Sequence, residues 1–180
     1  GVQGIHQAHQ VASKICLTEM MYVVDADAML VPDFEFDYKV DKYNLDVVHV
    51  WHSRNPVNGL EYGHMGIIAY HKQMVLDATE WGLDFTLSAR HGVVPVVAST
   101  ADFNTTPYET WRTAFRECIK LTQQSDIESR YRLDQWCSVA EGEYAEWSIE
   151  GAQYATVYVA SGNNLQSTFE WQFVKELFDS

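Results

Sequence analysis

Residues 20–27 read Met-Met-Tyr-Val-Val-Asp-Ala-Asp, an apolar run that stops at two aspartates. The run predicts a buried β-strand, and side chains two residues apart on a strand point to the same side. The carboxylates of Asp25 and Asp27 are therefore expected to converge, where they repel each other unless they are protonated or share a metal. Hard oxygen ligands suit Mn²⁺ or Mg²⁺, so the stretch predicts a divalent-metal site. The simpler alternative is that aspartate is common in turns after strands.

The rest of the chain alternates between helical and strand patterns, which predicts a single α/β domain over residues 1–180. The strand at 20–24 is apolar on both faces, so we expect it to be central and parallel to its neighbours. Further strands are predicted at 47–51, 67–70 and 93–98, and an alternating half-buried strand at 34–38. Helices are predicted at 3–16, 73–79, 108–122, 126–140 and 165–178, while residues 152–159 fit either type.

Composition and charge exclude several classes of protein. The chain has 180 residues, of which 47% are hydrophobic, and a net charge of −13. The hydrophobic content excludes a disordered segment, and no apolar stretch approaches the roughly 20 residues that a membrane-spanning helix needs. An acidic surface repels phosphate backbones, so direct nucleic-acid binding is not expected. Three cysteines without close pairing, and no apolar leader, indicate a cytoplasmic protein with reduced thiols.

The N-terminal segment resembles the middle of inverting family-two glycosyltransferases of the GT-A fold. Those proteins carry a helix of the form Gly-x-x-x-Ala-Arg-Asn, then a hydrophobic strand, Asp-x-Asp and a proline, and the same order runs here from Gly4 to Pro32. His9 and Gln10 stand where the family has Arg and Asn. The resemblance implies a three-layer GT-A-like mixed sheet flanked by helices. It also implies a nucleotide-sugar donor that is contacted by Asp25, His9 and Gln10.

A closer resemblance, over most of the chain, is to glycosyltransferase-like proteins of large tailed phages. It rests on segments 4–9, 23–28, 48–51, 54–60, 110–118 and 132–137. For a phage-encoded chain, this implies action in the host cytoplasm. The family begins with a strand–loop unit ahead of the Gly4 helix, and this chain begins almost at Gly4. We therefore expect an N-terminally truncated relative or a fragment of a longer chain.

The resemblance also implies a general base. Asp134 occupies the position of the carboxylate that takes a proton from the acceptor hydroxyl, and Glu117 is a weaker candidate. The alternative for Asp134 is an exposed aspartate that pairs with Arg130 or Lys120 on a solvated helix.

A loop rich in turn-forming residues follows the strand at 47–51. Through Arg54, Asn55 and Asn58 it is the candidate acceptor or phosphate loop, and Gly66 is assigned to the same site. Proteins of the family usually have Gly-Gly before the acceptor-side strand, where this chain has Gly63-His64-Met65-Gly66. A tight turn between two strands is the alternative interpretation of the loop.

Three functions are carried forward. The first is a metal-dependent glycosyltransferase-like domain that moves a sugar from a nucleotide-diphosphate donor to a hydroxyl acceptor, with the acceptor left open. The second is a catalytically inactive relative that acts as a structural, self-associating homo-oligomer, because an uncovered sheet edge or apolar face invites association. The third is a nucleotidyltransferase, which would use a similar carboxylate-held metal but release pyrophosphate.

Overall fold

The computed structural model describes residue 2 and residues 4–26, 28–78 and 89–180. These residues form five β-strands and six α-helices, which confirms the α/β class. The chain divides into two compact units, Gly1–Arg54 with Glu61–Ala101 and Asn55–Leu60 with Asp102–Ser180. The expectation of a single domain stays a prediction. Every helix in the described part of the chain is too short or too polar to cross a bilayer.

The first unit is built on one mixed sheet. Its elements are α1 (Ile5–Ile15), β1 (Met20–Val24), β2 (Met29–Leu30), β3 (Val47–Arg54), β4 (Glu61–His71), α2 (Lys72–Asp77) and β5 (Arg90–Thr100). The strand order is β1-β4-β3-β5-β2. β3 and β5 are parallel, and the other neighbours are antiparallel. β1, β3 and β5 therefore run in one direction, and their carboxyl ends define what we call the carboxyl edge of the sheet.

β1 is a strand as predicted, but the expectation that it is central and parallel was wrong. It ends the described sheet and pairs antiparallel with β4, with Val24 opposite Ile67. Both of its faces are nevertheless covered. Met21 belongs to the core cluster that includes Val48 and lies against residues of α1, and on the other face the Tyr22 ring contacts the aromatic rings of Phe36 and Trp51. An apolar strand can thus be an edge strand when packing covers its two faces.

The sheet is curled, and the connection between β1 and β2 explains why. These strands lie at opposite ends of the strand order, which in a flat sheet would place them about 19 Å apart at roughly 4.8 Å per strand. Only residues 25–28 join them. Ala28 N donates to Asp25 O at 3.0 Å, and such a turn keeps its first and fourth Cα atoms within about 7 Å. The link is too short for a flat sheet, so the two ends must bend towards each other.

The expected strand at 34–38 was wrong, because no strand lies between β2 and β3. The alternating aromatic residues instead pack as an irregular segment on one face of the sheet, where Phe34 and Tyr38 contact the Trp51 ring. Trp51 itself is 2% exposed. Aromatic side chains can bury their area in this way without a backbone ladder.

The second unit is helical. It contains α3 (Pro107–Leu121), α4 (Ile127–Ser138), α5 (Ala145–Ala160), a 3-10 turn (Gln166–Phe169) and α6 (Trp171–Phe178). Residues 152–159 are therefore helical, and the predicted final helix is interrupted at Glu170, whose backbone is extended. α3 begins at a side-chain cap, since Thr106 Oγ1 accepts a hydrogen bond from Glu109 N at 3.1 Å. All three cysteines are free thiols, as expected.

Candidate functional site

Asp25 lies at the carboxyl edge, where β1 stops. Its backbone N–H donates to Gly66 O on β4 at 2.9 Å, and its carbonyl accepts the hydrogen bond of the turn to Ala28. The residue is exposed. The strand has ended by this point, so strand alternation does not determine where the next acidic side chain points. Asp27, the second predicted metal ligand, lies outside the described residues.

Gly66 is placed next to the acidic motif, as the register of β1 and β4 requires. Its N–H donates to His64 Nδ1 at 3.1 Å. A nitrogen that accepts a hydrogen bond carries no proton, so the neutral His64 ring has its proton on Nε2. His64 was not among the residues predicted for the site. The signal that could have identified it is the histidine that stands where a glycine pair was expected.

His9 does not present its ring to a surface site. It is 8% exposed, its Nδ1 lies 2.7 Å from the Tyr70 hydroxyl, and the two rings stack with centroids 5.8 Å apart. A buried and hydrogen-bonded ring of this kind stabilises the packing of α1 on the sheet. Gln10, the other predicted donor contact, is half-buried at the next position of α1.

Arg54 ends β3 at the carboxyl edge and already has an anionic partner. Its Nη2 lies 2.6 Å from Glu61 Oε1, and its Nε donates to the same oxygen at 2.8 Å. The side chain is about half exposed, so solvent weakens this pair. A phosphate could therefore displace Glu61 at modest cost, but Arg54 is not held open for one.

The amides of Asn55 and Asn58 build the loop itself. Asn55 Oδ1 accepts from Val57 N at 3.0 Å, and Asn58 Oδ1 accepts from Leu60 N at 3.2 Å. Both side chains are buried. These are the local turns that asparagine favours, which supports the alternative interpretation of a tight turn.

Asp134 is an exposed residue of α4 in the second unit, whereas Asp25 belongs to the first. Lys120, one of its two predicted partners, pairs instead with Glu117 at 3.2 Å. Glu117 Oε1 also accepts a hydrogen bond from Arg132 Nη2 at 2.6 Å. Glu117, in α3, thus pairs with two cations, which leaves Asp134, in α4, as the stronger of the two base candidates.

Next to Gly66, the described residues that offer metal-binding groups are Asp25, with its carboxylate, and His64, with its imidazole. Within residues 4–26, 28–78 and 89–180, no group of three or more His, Cys, Asp or Glu side chains is arranged to hold a metal ion. The sequence matches no protein-family model, and neither a curated protein nor a solved structure is significantly similar to the chain.

Proposed function

We propose that this chain is a metal-dependent, GT-A-like glycosyltransferase domain. The observation that carries the proposal is the position of Asp25, an exposed residue directly after the carboxyl end of β1, a strand that runs in the same direction as β3 and β5. Open α/β sheets bind their ligands outside the carboxyl ends of the strands. A sheet with one antiparallel strand between parallel-running strands is compatible with the mixed GT-A-like sheet that the sequence resemblance implies.

The carboxylate oxygens at this edge are ligands that suit a hard divalent cation. Mg²⁺ and similar ions are usually held in proteins by one or two carboxylates and complete their shell with water and substrate phosphates. Asp25 and Asp27 would hold Mn²⁺ or Mg²⁺ here. Bound in this way, the ion supplies positive charge that stabilises a departing nucleoside diphosphate.

The chain's own residues would divide the remaining work. Gly66 fixes the backbone of Asp25 through the 2.9 Å hydrogen bond and so orients the carboxylate. Arg54 would exchange Glu61 for a phosphate oxygen, since guanidinium groups bind phosphate in two-pronged contacts. Asp134, which belongs to the second unit, stays the sequence-based candidate for the general base.

The proposal is tested by calorimetric titration of Mn²⁺ with a panel of nucleotide-diphosphate sugars. We expect Mn²⁺-dependent donor binding that is weakened at least tenfold, about 1.4 kcal/mol, by Asp25→Asn and by Asp27→Asn. Asp77→Asn, at an exposed aspartate of α2, is the matched control and should bind like the wild type. Equal binding by all three variants, or no donor binding by the folded wild type, would contradict the proposal.

The products of a turnover assay separate the proposal from nucleotidyl transfer. Sugar transfer releases a nucleoside diphosphate, whereas a nucleotidyltransferase releases pyrophosphate. A coupled assay specific for each product, run with Mn²⁺ and the donor that binds, decides between them. Pyrophosphate as the product would replace the first proposal with the second.

A non-catalytic, self-associating relative is the second candidate, and it is favoured by the outer surface next to β1. Leu17 is 99% exposed and Ile15 is 73% exposed. Both lie within five residues of Met20 in the sequence, where β1, an end strand of the described sheet, begins. Exposed apolar surface near an edge strand promotes association. Sedimentation velocity of the wild type and of Ile15→Lys/Leu17→Lys tests this. A dimer that the double substitution dissociates would support it, and a monomeric wild type would exclude it.

A further inference from the structure

Two of the three free thiols lie in contact within the second unit. Cys118 belongs to α3 and Cys137 to α4, and their side chains share a hydrogen bond. Both helices are part of the same compact unit, whereas Cys16, the third cysteine, belongs to the first. The fold thus brings together two thiols that are far apart in the sequence.

Neighbouring contacts hold the two cysteines in place. Glu117 precedes Cys118 in α3 and accepts a hydrogen bond from Arg132 of α4 at 2.6 Å, and both of these charged side chains are mostly buried. The carbonyl oxygen of Cys137 accepts a hydrogen bond from Gln153 Nε2 of α5 at 3.0 Å. Because solvent screens a partly buried ion pair less than an exposed one, this pair limits how far α3 and α4 can separate.

The two thiols differ in access and in acidity. Cys118 is fully buried, whereas Cys137 is half-buried and in part exposed to solvent. The hydrogen bond from Cys118 lowers the pKa of Cys137, although the nearby Asp134 opposes this shift. The same hydrogen bond and burial raise the pKa of Cys118, against the opposing charge of Arg132. An accessible thiol of lowered pKa next to a second cysteine is the arrangement of redox-active cysteine pairs.

We propose that Cys118 and Cys137 are a redox-active pair that forms a reversible disulfide with a small disulfide oxidant of the glutathione class. The Cys137 thiolate attacks one sulfur of glutathione disulfide, which forms a mixed disulfide and releases one glutathione thiolate. Cys118 no longer faces a negatively charged sulfur at this stage. It loses its proton and attacks the Cys137 sulfur, which releases the second glutathione thiolate. Two protein thiols are oxidised, and the two glutathione thiolates take up their two protons.

The test uses the full chain with Cys16→Ser, so that the pair supplies its two thiols. Incubation with glutathione disulfide is expected to lower the intact mass by about 2 Da, the mass of two hydrogen atoms, without a lasting glutathione adduct. Trypsin should then release peptide 117–120 joined to peptide 133–175, and dithiothreitol should separate the two. An unchanged mass, or a glutathione adduct that persists on the folded protein, would overturn the proposal.

Single substitutions in the same Cys16→Ser protein test the order of the two steps. Cys118→Ser removes the second thiol, so the reaction should stop at a glutathione adduct on Cys137. Cys137→Ser leaves only the fully buried Cys118 and should remain largely unmodified while the protein is folded. Rapid modification of Cys118 in this variant, or a Cys118→Ser protein without an adduct, would contradict Cys137 as the attacking thiol.

The rate of the first step tests the hydrogen bond between the thiols. Cys118→Ser keeps a donor for the Cys137 sulfur, whereas Cys118→Ala removes it. At about pH 7 the alanine variant is expected to form the Cys137 adduct severalfold more slowly than the serine variant, because less of Cys137 is thiolate. Equal rates for two folded variants would contradict the hydrogen bond as the source of reactivity. These measurements use neither metal nor nucleotide sugar, so their outcome is independent of the proposed sugar transfer.

Discussion

Gly151→Ala is expected to destabilise the second unit, although glycine is normally a poor residue for the middle of a helix. Gly151 lies in α5 and faces the backbone of α3. A Cβ at this position would lie 2.3 Å from the carbonyl oxygen of Trp111 and 3.0 Å from its carbonyl carbon. Backbone atoms cannot rotate away, so the two helices must separate by about 1 Å to restore a normal contact.

The sign of the effect depends on two opposing magnitudes. Overpacking a well-packed core costs about 1–3 kcal/mol, and a clash with rigid backbone places this site at the upper end. Alanine favours the helix over glycine by about 1 kcal/mol. The expected net loss in the free energy of unfolding is therefore about 2 kcal/mol, whereas helix propensity alone predicts a gain.

Urea denaturation followed by circular dichroism measures this difference. For a slope near 2 kcal/mol/M, the unfolding midpoint of Gly151→Ala should fall by about 1 M with the slope unchanged. Glu150→Ala is the control, because it changes the adjacent exposed residue of the same helix and should stay within about 0.5 kcal/mol of the wild type. A Gly151→Ala protein that is as stable as the wild type, or more stable, would refute the reasoning.

Three further predictions concern single contacts. Tyr70→Phe removes the hydroxyl 2.7 Å from His9 Nδ1 and should cost about 1–3 kcal/mol in urea denaturation, because a buried polar group loses this partner; an unchanged midpoint would argue against a structural role for the pair. Hydrogen bonds from Ser129 lower the pKa of Asp126 in the folded protein. The Asp126 carboxylate therefore stabilises the fold fully above the pKa that it has in the unfolded chain, and this stabilisation is lost as the pH falls through its lower pKa in the folded protein. Asp126→Asn keeps a helix cap but should lose that part of the acid sensitivity, which melting temperatures at about pH 7 and pH 3 will measure; an identical pH dependence in both proteins would contradict it. Thr106→Ala removes the side-chain cap of α3 and should lower the free energy of unfolding, measured by urea denaturation, by about 1 kcal/mol. Thr106→Ser keeps a hydroxyl cap and should retain most of the wild-type stability.

The sequence located most elements of secondary structure because their hydrophobic periodicity is local. The helices at residues 5–15 and 107–121 and the strands at 20–24 and 90–100 overlap their predicted ranges. Residues 152–159 were ambiguous because the stretch mixes helix-forming alanines with β-branched and aromatic residues. Its helical state depends on the close packing of α5 on α3, which is a tertiary effect.

Strand order could not be obtained from the same patterns. An apolar strand covered on both faces has the same composition at the centre of a sheet and at its end, so Met21 and Tyr22 did not distinguish the two positions. The aromatic alternation at 34–38 misled for a related reason. A period of two indicates which side chains are buried, but not whether the backbone between them pairs with a neighbouring strand.

The candidate site was predictable only in part. The end of a hydrophobic run correctly located Asp25 at the end of a strand, and antiparallel pairing then brought Gly66 to it. The partner of His9 lies 61 residues away, so no local spacing could show that the ring is part of the core. The tight turn that Asn55 and Asn58 form was predicted as the alternative to a phosphate loop, since asparagine followed by glycine is a strong turn signal.

The short connection at residues 25–28 has a mechanical consequence. It ties the outermost strands of a five-stranded sheet, so its length fixes how far the sheet must bend. Inserting residues there would lengthen the connection and weaken the pairing of β2 with Ser99 and Thr100. This effect does not depend on what the acidic side chains bind. The length of the connection that contains both aspartates is therefore also a requirement of the fold, which a related chain without any metal would still need to preserve.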